Sequence, residues 1–556
     1  MKPHSIHKEK STNASPSASS SSSPPSSSPS EAWILGSGTA ALASALYLIR
    51  LAKFPPQNVH ILDSHSSLGQ ALHHRRDATA GYDQFAGCLP VPVGEPLENL
   101  LSLVPSVSDT RQSVLSEIHA AETSSRKKQD DAHTRFLVQR NDALHVIPTR
   151  ALNLNLRQRL AVLHLLLKRE KRLQRTQVRD YLPTSFFQSS FWAIWSAQFG
   201  FQPWHSAAEF RRTMLQYLRD FPDLEILSCL DITGHYQFEA TFLPIFHFLR
   251  SLDVDFRFDA RVKEILTAHR GGKEVISSIN LVQSGFEMCQ LVAPDDLVII
   301  TLGSTVSGST TGTNDHPPPQ TSMSASEALD ENWSLWLELC TKSPCFGDPY
   351  NFCTQRCESM LESFTVTTED LAFYAHLHSL INDSSADAGA FISLQESPWR
   401  LNLCLPTQPV FSEQPANVRV FWGFANFPES KGRYVKRPML QCSGAEIMTE
   451  LLGHLHIDPQ HLLLRTVTIP RVMPRMSATL LARAAGDRPR VVPGRVANLA
   501  LVGQFCEIPG FSCVDTSYSV RTAQRAVAHF TGARGEPTGV EPKGRLLTWL
   551  KVLFWR

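Results

Sequence analysis

The stretch "AWILGSGTAALASALYLIR", residues 32–50, decides the fold. Four apolar residues, Ala32–Leu35, read as a buried strand. Gly36-Ser37-Gly38 then breaks the run, and 40–50 reads as a helix with small residues on one face. Glycines at 36 and 38 permit a tight turn and close backbone approach. The helix N-terminus that follows can present N–H groups to a pyrophosphate. Ala41 fills the third position of the Gly-x-Gly-x-x-Gly pattern, where a small residue lets helix pack on strand. A second apolar run, "NVHILD" at 58–63, ends in Asp63, about 25 residues beyond the first glycine, where an acid accepts hydrogen bonds from ribose hydroxyls. Strand, helix, strand and terminal acid in this order predict a dinucleotide site, against the alternative of an ordinary βαβ unit.

Working outward, 556 residues suffice for several domains with sizeable cores. The formal net charge of +1 gives no sign of a nucleic-acid partner. Eleven cysteines occur without paired spacing, which argues for a reducing compartment and against a disulfide framework or zinc site. Residues 1–30, with "STNASPSASSSSSPPSSSPS", are Ser/Pro-rich and read as a disordered arm without a secretory signal. No 18-residue apolar run predicts a spanning helix, so a cytoplasmic location is expected. Polar interruptions fall at 124–133 and 308–326, and no internal repeat is evident.

Two distant segments choose between nicotinamide and flavin. "DDLVIITLGS" at 295–304 reads as a strand ending at Gly303-Ser304. "NLALVGQF" at 498–505 reads as another, ending at Gly503 and followed by the helical "SYSVRTAQRAVAHF". A nucleotide domain assembled from both chain ends, with other domains inserted, favours FAD. The expected cofactor-binding set is Gly36, Gly38, Ala41, Asp63, Gly87, Val262, Gly303, Ser304 and Gly503.

The chain resembles the oleate hydratase, or myosin-cross-reactive antigen, family through most of residues 31–532. "FFQSSFWAIWSAQFGFQPWHSAAEFRRTM", "FGDPYNF", "VRVFWGFANFPESKGRYVKRPM", "GDRPRVVP" and "LVGQFCEIPG" carry the likeness, beside the nucleotide segments. The resemblance implies an FAD-binding, redox-neutral enzyme that adds water to a cis double bond of a free unsaturated fatty acid, with the flavin in a structural or electrostatic role.

The catalytic positions depart from that family. Its Arg-Gly-Gly-Arg-Glu-Met loop beside the flavin corresponds here to "FAGCLP" at 85–90. Gly87 is kept, Phe85 and Cys88 replace the arginines, and Leu89 replaces the glutamate that activates water. A leucine accepts no proton, so that general base is missing. The family's Lys-Tyr-Asn-Gln-Tyr segment, source of its proton donor, corresponds to "GHYQF" at 234–238. His235 and Phe238 stand at its tyrosine positions and Tyr236 at the asparagine. His235 can move protons near neutral pH, and Tyr236 is the other catalytic candidate; both also have structural readings. The family's carboxylate-binding Thr-Cys-Asn-Arg-Gln-Pro-His corresponds to "CLPTQPV" at 404–410, where Cys404, Pro406 and Val410 offer a carboxylate little. Thr407 and Gln408 remain as weaker partners.

Most aromatics of 186–204 suit a core, with several open to lining a lipid-like cavity, and Trp204-His205-Ser206 reads as structural. Cys88 reads as a small buried residue or as a thiol beside the flavin. The tail "GRLLTWLKVLFWR", 544–556, sets leucines and aromatics on one helical face with Arg545, Lys551 and Arg556, an interfacial membrane pattern; the alternative is a helix packed on the protein's own body.

The expected architecture is α/β: a Rossmann-like FAD domain from 31–110, 231–305 and 491–532, a helical, substrate-lining insertion at 111–230, a linker or lid at 306–330, a substrate domain at 331–490 and an amphipathic tail at 533–556. Three readings of function stay open. One is a flavin-dependent hydratase or isomerase acting on an alkene of a lipid-like substrate. A second is fatty acid hydration with Glu95, Asp83 or His235 as substitute base. The third is a flavin oxidoreductase or a silent lipid-binding paralogue. A second copy of the chain is a candidate partner.

Overall fold

The computed structural model describes residues 30–68, 73–84, 88–90, 96–107, 109–126, 135–141, 143–146, 154–220, 232–236, 238–319, 329–380, 390–514 and 516–533. The N-terminal arm before Ser30 and the 544–556 tail lie outside the described residues, as do Phe85, Gly87, Glu95 and the greater part of the 124–133 run.

Strand β1 (Ala32–Leu35), helix α1 (Thr39–Arg50) and strand β2 (Val59–Leu62) form as the sequence pattern predicts. All four residues of each strand are buried, which is why both read as unbroken apolar runs. The sheet is five-stranded, in the order Leu499–Val502, Leu297–Thr301, β1, β2, Asp255–Arg257. Every pairing is parallel, with Ala32 opposite both Leu297 and Val59. The helix Thr516–Thr531 packs beside α1, so the last strand–helix unit closes the domain that the first began.

Two other sheets interrupt this domain. Ala260–Arg270, Lys273–Gln283 and Phe286–Leu291 form a three-stranded antiparallel sheet between two strands of the parallel one. An eight-stranded mixed sheet runs Thr310–Thr311, Thr466–Met473, Leu361–Thr368, Arg419–Ala425, Leu401–Leu405, Ala390–Leu394, Arg135–Arg140, Ala143–Val146. The last two strands come from within 111–230, so that stretch is not wholly helical. The described part of the 308–326 stretch is docked. Thr310–Thr311 pairs with Arg471 and Val472, and the carbonyls of Thr313 and Asn314 accept from Gly444 and Ala445 at the start of the helix Gly444–His454.

The aromatic stretch is mainly core. Phe186, Phe191, Trp192 and Trp195 are buried in a chain of ring contacts, and the buried Phe201 joins them through Phe210; the helix proper is Ser190–Phe199. His205 is fully buried, its Nδ1 accepting from the Gln202 amide and its Nε2 facing the Glu358 carbonyl. Burial pushes its pKa down to about 4, so it stays neutral and structural.

A buried charge cluster joins the insertion to the last part of the chain. Glu209, with no exposed surface, lies 2.6 Å from Arg483, 3.3 Å from Arg212 and 3.4 Å from Arg488. Glu507 lies 2.5 Å from Arg212 and 3.0 Å from Arg483, and Glu170 also pairs with Arg212. Burial alone would raise the Glu209 pKa, but the three guanidinium groups outweigh it and hold the carboxyl ionised. Glu209→Gln removes one negative charge and leaves buried cations uncompensated. The variant is expected to lose about 3–5 kcal/mol of stability, read as a lowered denaturation midpoint; an unchanged midpoint would contradict it.

Candidate functional site

The carboxyl ends of the parallel strands open onto a cavity of about 210 Å³, lined by Ser37, Gly38, Asp63, Gly303, Ser304 and Gly503 among others. Ligands of open α/β sheets sit at this edge. Gly36, at φ +103, turns the chain out of β1, where an added Cβ would lie 3.1 Å from Thr301. Gly38 is the N-cap of α1; no side chain caps that end, and a Cβ at Gly38 would meet nothing within 4 Å. Open space over an uncapped helix N-terminus fits a phosphate group. Thr301 adds a buried hydroxyl without a hydrogen-bond partner among the described residues.

Asp63 directly follows β2 at the same edge and lines the cavity. Its Oδ1 accepts from the His65 amide at 2.8 Å and lies 2.7 Å from His65 Nδ1. Burial would raise its pKa, but hydrogen bonds from His65 and Ser37 outweigh that and hold it below the ordinary carboxylate value. The same bond raises the pKa of His65. A smaller cavity of about 30 Å³ adjoins on the far side of Asp63, lined by Gly36, Ala260 and Val262. Ala41 is fully buried and lines neither cavity; its smallness serves packing.

The sequence reading missed the opposite wall. Asp330, Asn332 and His65 line both cavities, and Gln504 and Ser519 line the larger one. Asp330 caps the helix Glu331–Lys342 by accepting from the Trp333 amide, while Trp333 Nε1 donates to the Ser304 carbonyl. Burial pushes the Asp330 carboxyl up to about 6. No local motif announces these residues; only the "DxH" spacing of Asp63 and His65 offered a signal.

The two segments expected to hold catalytic groups come together. Cys88–Pro90 pairs antiparallel with Ile232–Tyr236, with Cys88 opposite Tyr236. The side chains of Cys88, Leu89, His235 and Tyr236 lie outside the described residues. Immediately after, Phe238–Phe242 forms a π-helical turn, and Phe242 reaches the 210 Å³ cavity.

A third cavity, about 310 Å³, is lined mainly by apolar and aromatic side chains, including Phe199, Leu361, Phe364, Phe391, Trp422 and Met473. It shares Thr305 and Gln504 with the 210 Å³ cavity, so the two adjoin there. Its described lining holds no Asp, Glu, Lys, Arg or His; Gln198, Ser363, Thr479 and the thiols of Cys404 and Cys513 are among its polar groups. Cys513 Sγ lies 3.3 Å from Glu209 Oε2 and 3.3 Å from Arg488 Nη2, linking the cavity wall to the buried charge cluster.

Two expected substitutes are already engaged. Gln408 does not line the 310 Å³ cavity. Its Nε2 donates to the Val420 and Pro406 carbonyls and its Oε1 accepts from the Val420 amide and Gln414. Asp83, an alternative base, is buried 2.5 Å from Arg471. Among the described residues no group of three His, Cys, Asp or Glu side chains is arranged to hold a metal, and no helix is long and apolar enough to cross a membrane. The nine cysteines whose side chains are described are free thiols.

Fold and site together define an α/β protein with a Rossmann-like cradle at the carboxyl edge of its parallel sheet and an apolar cavity that shares two lining residues with it. The chain belongs to the MCRA family, whose model matches residues 29–528. It is 29% identical over 536 residues to an oleate hydratase of Streptococcus pyogenes serotype M49 (strain NZ131), covering 94% of this chain and 89% of that protein. It is 27% identical over 546 residues to a linoleate hydratase of Lactiplantibacillus plantarum, covering 90% and 94%. Among solved structures, a cyclohexylamine oxidase from Brevibacterium oxydans IH-35A matches with a TM-score of 0.49 at 12% identity, covering 91% of this chain and 99% of that one. An oxidoreductase from Methanosarcina mazei matches with a TM-score of 0.45 at 12% identity, covering 89% and 100%.

Two tests follow from the cradle. Gly38→Val has room in the protein and an ordinary φ of −72, so it should fold, at an N-cap cost of about 1 kcal/mol. Its side chain would stand in the phosphate space, and cofactor affinity should fall by about a hundredfold or more; retained affinity would refute the cradle. Asp330 titrates in the second test. A neutral Asp330 tolerates an anionic ligand, so affinity should be highest below pH 6 and fall as pH rises through that value. Protonated His65 acts in the same direction, but above its ordinary 6.5. Asp330→Asn, which keeps the helix cap, should abolish the step near pH 6, as read by cofactor titration across pH; an unaltered profile would contradict this assignment.

Proposed function

We propose that the chain is an FAD-dependent, redox-neutral hydratase or isomerase acting on a carbon–carbon double bond of a lipid-like substrate. The observation that supports this most is the meeting of the cradle and the apolar cavity at Thr305 and Gln504. A hydrocarbon chain in the 310 Å³ cavity would present its end or its double bond to whatever occupies the cradle. The names of the two hydratase relatives favour an unsaturated fatty chain.

For FAD, the α1 N-terminus and Gly38 would take the pyrophosphate, Asp63 the ribose and the Val262 side the adenine. Gly303, Ser304, Gly503 and Gln504 would follow the flavin half. Bound there, the flavin supplies charge and a planar wall beside the double bond, with no net electron transfer in a hydration. The chain's own residues do the rest. Phe199, Phe391 and Trp422 hold the hydrocarbon and exclude bulk water. Since the described lining offers no cation to a carboxylate, a substrate that buries only apolar groups here suits it better than a free acid. Proton transfer is assigned to His235 and Tyr236, on the strand that leads to Phe242.

The decisive incubation uses flavin-loaded, anaerobically reduced protein in ¹⁸O-water with oleic acid, linoleic acid and a carboxylate-free long-chain cis-alkene. A labelled alcohol or a shifted double bond is expected, with the carboxylate-free alkene preferred, and His235→Ala should lower the rate by about a hundredfold or more. Flavin oxidation by substrate would instead mark an oxidoreductase. No product and no flavin turnover at full occupancy would mark a silent lipid-binding protein. Either result overturns the proposal.

A further inference from the structure

The 310 Å³ cavity is apolar except where neutral polar side chains interrupt its wall, and several of those are spent on the protein itself. Ser477 Oγ donates to the Ser359 carbonyl, Gln504 Nε2 donates to the Cys513 carbonyl, and the Cys513 thiol faces Glu209. Gln198 differs from these. It stands in the last turn of the helix Ser190–Phe199, and both it and Phe199 line the cavity. Its Oε1 is buried and has no hydrogen-bond partner among the described residues. The buried rings of Phe191 and Trp195 anchor the helix, so the place of Gln198 on the wall is fixed.

A buried amide oxygen without a donor is costly, because it has given up water and received nothing in exchange. Such a group in a native wall calls for a partner from elsewhere, and the cavity is where one can enter. An amide has a donor end and an acceptor end, and a half-turn about its last side-chain bond brings either to the cavity. It has no charge, so it does not offset the desolvation of a carboxylate or an ammonium. A hydroxyl, which both donates and accepts, matches it.

We propose that Gln198 determines specificity by hydrogen-bonding an uncharged hydroxyl of the ligand, so that the cavity takes a long-chain alcohol in preference to a fatty acid or a plain hydrocarbon. The hydroxyl stands either at the end of the chain or along it. The inference rests on the cavity being the lipid site, and not on the reaction.

The test is equilibrium binding to the flavin-loaded, oxidised protein, read by displacement of a fluorescent fatty probe. The ligands are oleyl alcohol and a mid-chain octadecanol, each against the hydrocarbon of the same chain, and oleic acid. Wild type is expected to bind one of the alcohols about tenfold more tightly than its hydrocarbon, and more tightly than oleic acid. Which alcohol wins places the hydroxyl. Gln198→Met keeps the side-chain length and the helix propensity without the amide. In that variant the alcohol should fall to within about twofold of its hydrocarbon, whose own affinity should hold. An unchanged melting profile establishes that the variant is folded. A wild type that binds none of the ligands, or shows no preference for an alcohol, overturns the proposal. So does a preference that survives Gln198→Met, or a variant that weakens every ligand alike, since Gln198 would then only shape the wall. Gln198-dependent alcohol binding without any hydrated or isomerised product would leave this inference standing and remove the proposed reaction; labelled product with no dependence of binding on Gln198 would do the reverse.

Discussion

The site depends on the parallel pairing that holds β1 between β2 and the strand Leu297–Thr301, because that pairing fixes where the chain leaves the sheet. The strand order reverses at β1, its neighbours being a strand close in sequence on one side and a remote one on the other. A crevice forms at such a reversal. Gly36 turns with positive φ at a place where an added Cβ would lie 3.1 Å from Thr301, and beyond that turn the uncapped start of α1 faces open space. Gly303 and Gly503, at φ +60 and +106, end the next two strands at the same edge. An added Cβ at Gly303 would lie 2.8 Å from Phe505, so that ring packs over the end of Leu297–Thr301 only because position 303 lacks a side chain.

The second constraint is electrostatic. Glu209, Arg212, Arg483 and Arg488 are buried together, with the partly exposed Glu507 beside them, although they come from separate parts of the chain. None of these charges survives burial alone, so the segments must assemble as a unit. The "GDRPRVVP" stretch is explained by this. Arg488 reaches Glu209 and Cys513, and the Asp487 carbonyl receives the Asp348 amide from "FGDPYNF". Cys513 also forms part of the apolar cavity wall, so the cluster sets the shape of that wall.

The first strand–helix–strand unit was legible because glycine, apolar runs and a terminal acid each have a local backbone reason. The two remote strands were legible because each repeats that grammar. Asp330 and Asn332 were not, since they reach the cradle from a helix start after a polar stretch and carry no motif. Gln408 was misread because a side-chain amide looks available in a sequence, whereas the fold spends it on Val420, Pro406 and Gln414. Phe199 is the aromatic of the 186–204 stretch that lines the apolar cavity; its neighbours are core. A helical wheel cannot make that separation, because it depends on which strands later cover the helix.

The central claim is that cofactor cradle and apolar cavity are contiguous through Thr305 and Gln504. The visible absorption of the flavin-loaded protein, recorded while a long-chain cis-alkene is titrated in, tests this most directly. A saturable shift of the flavin bands at one equivalent is the result predicted by a hydrocarbon lying against the cofactor. Stoichiometric alkene binding that leaves the flavin spectrum unchanged would contradict it.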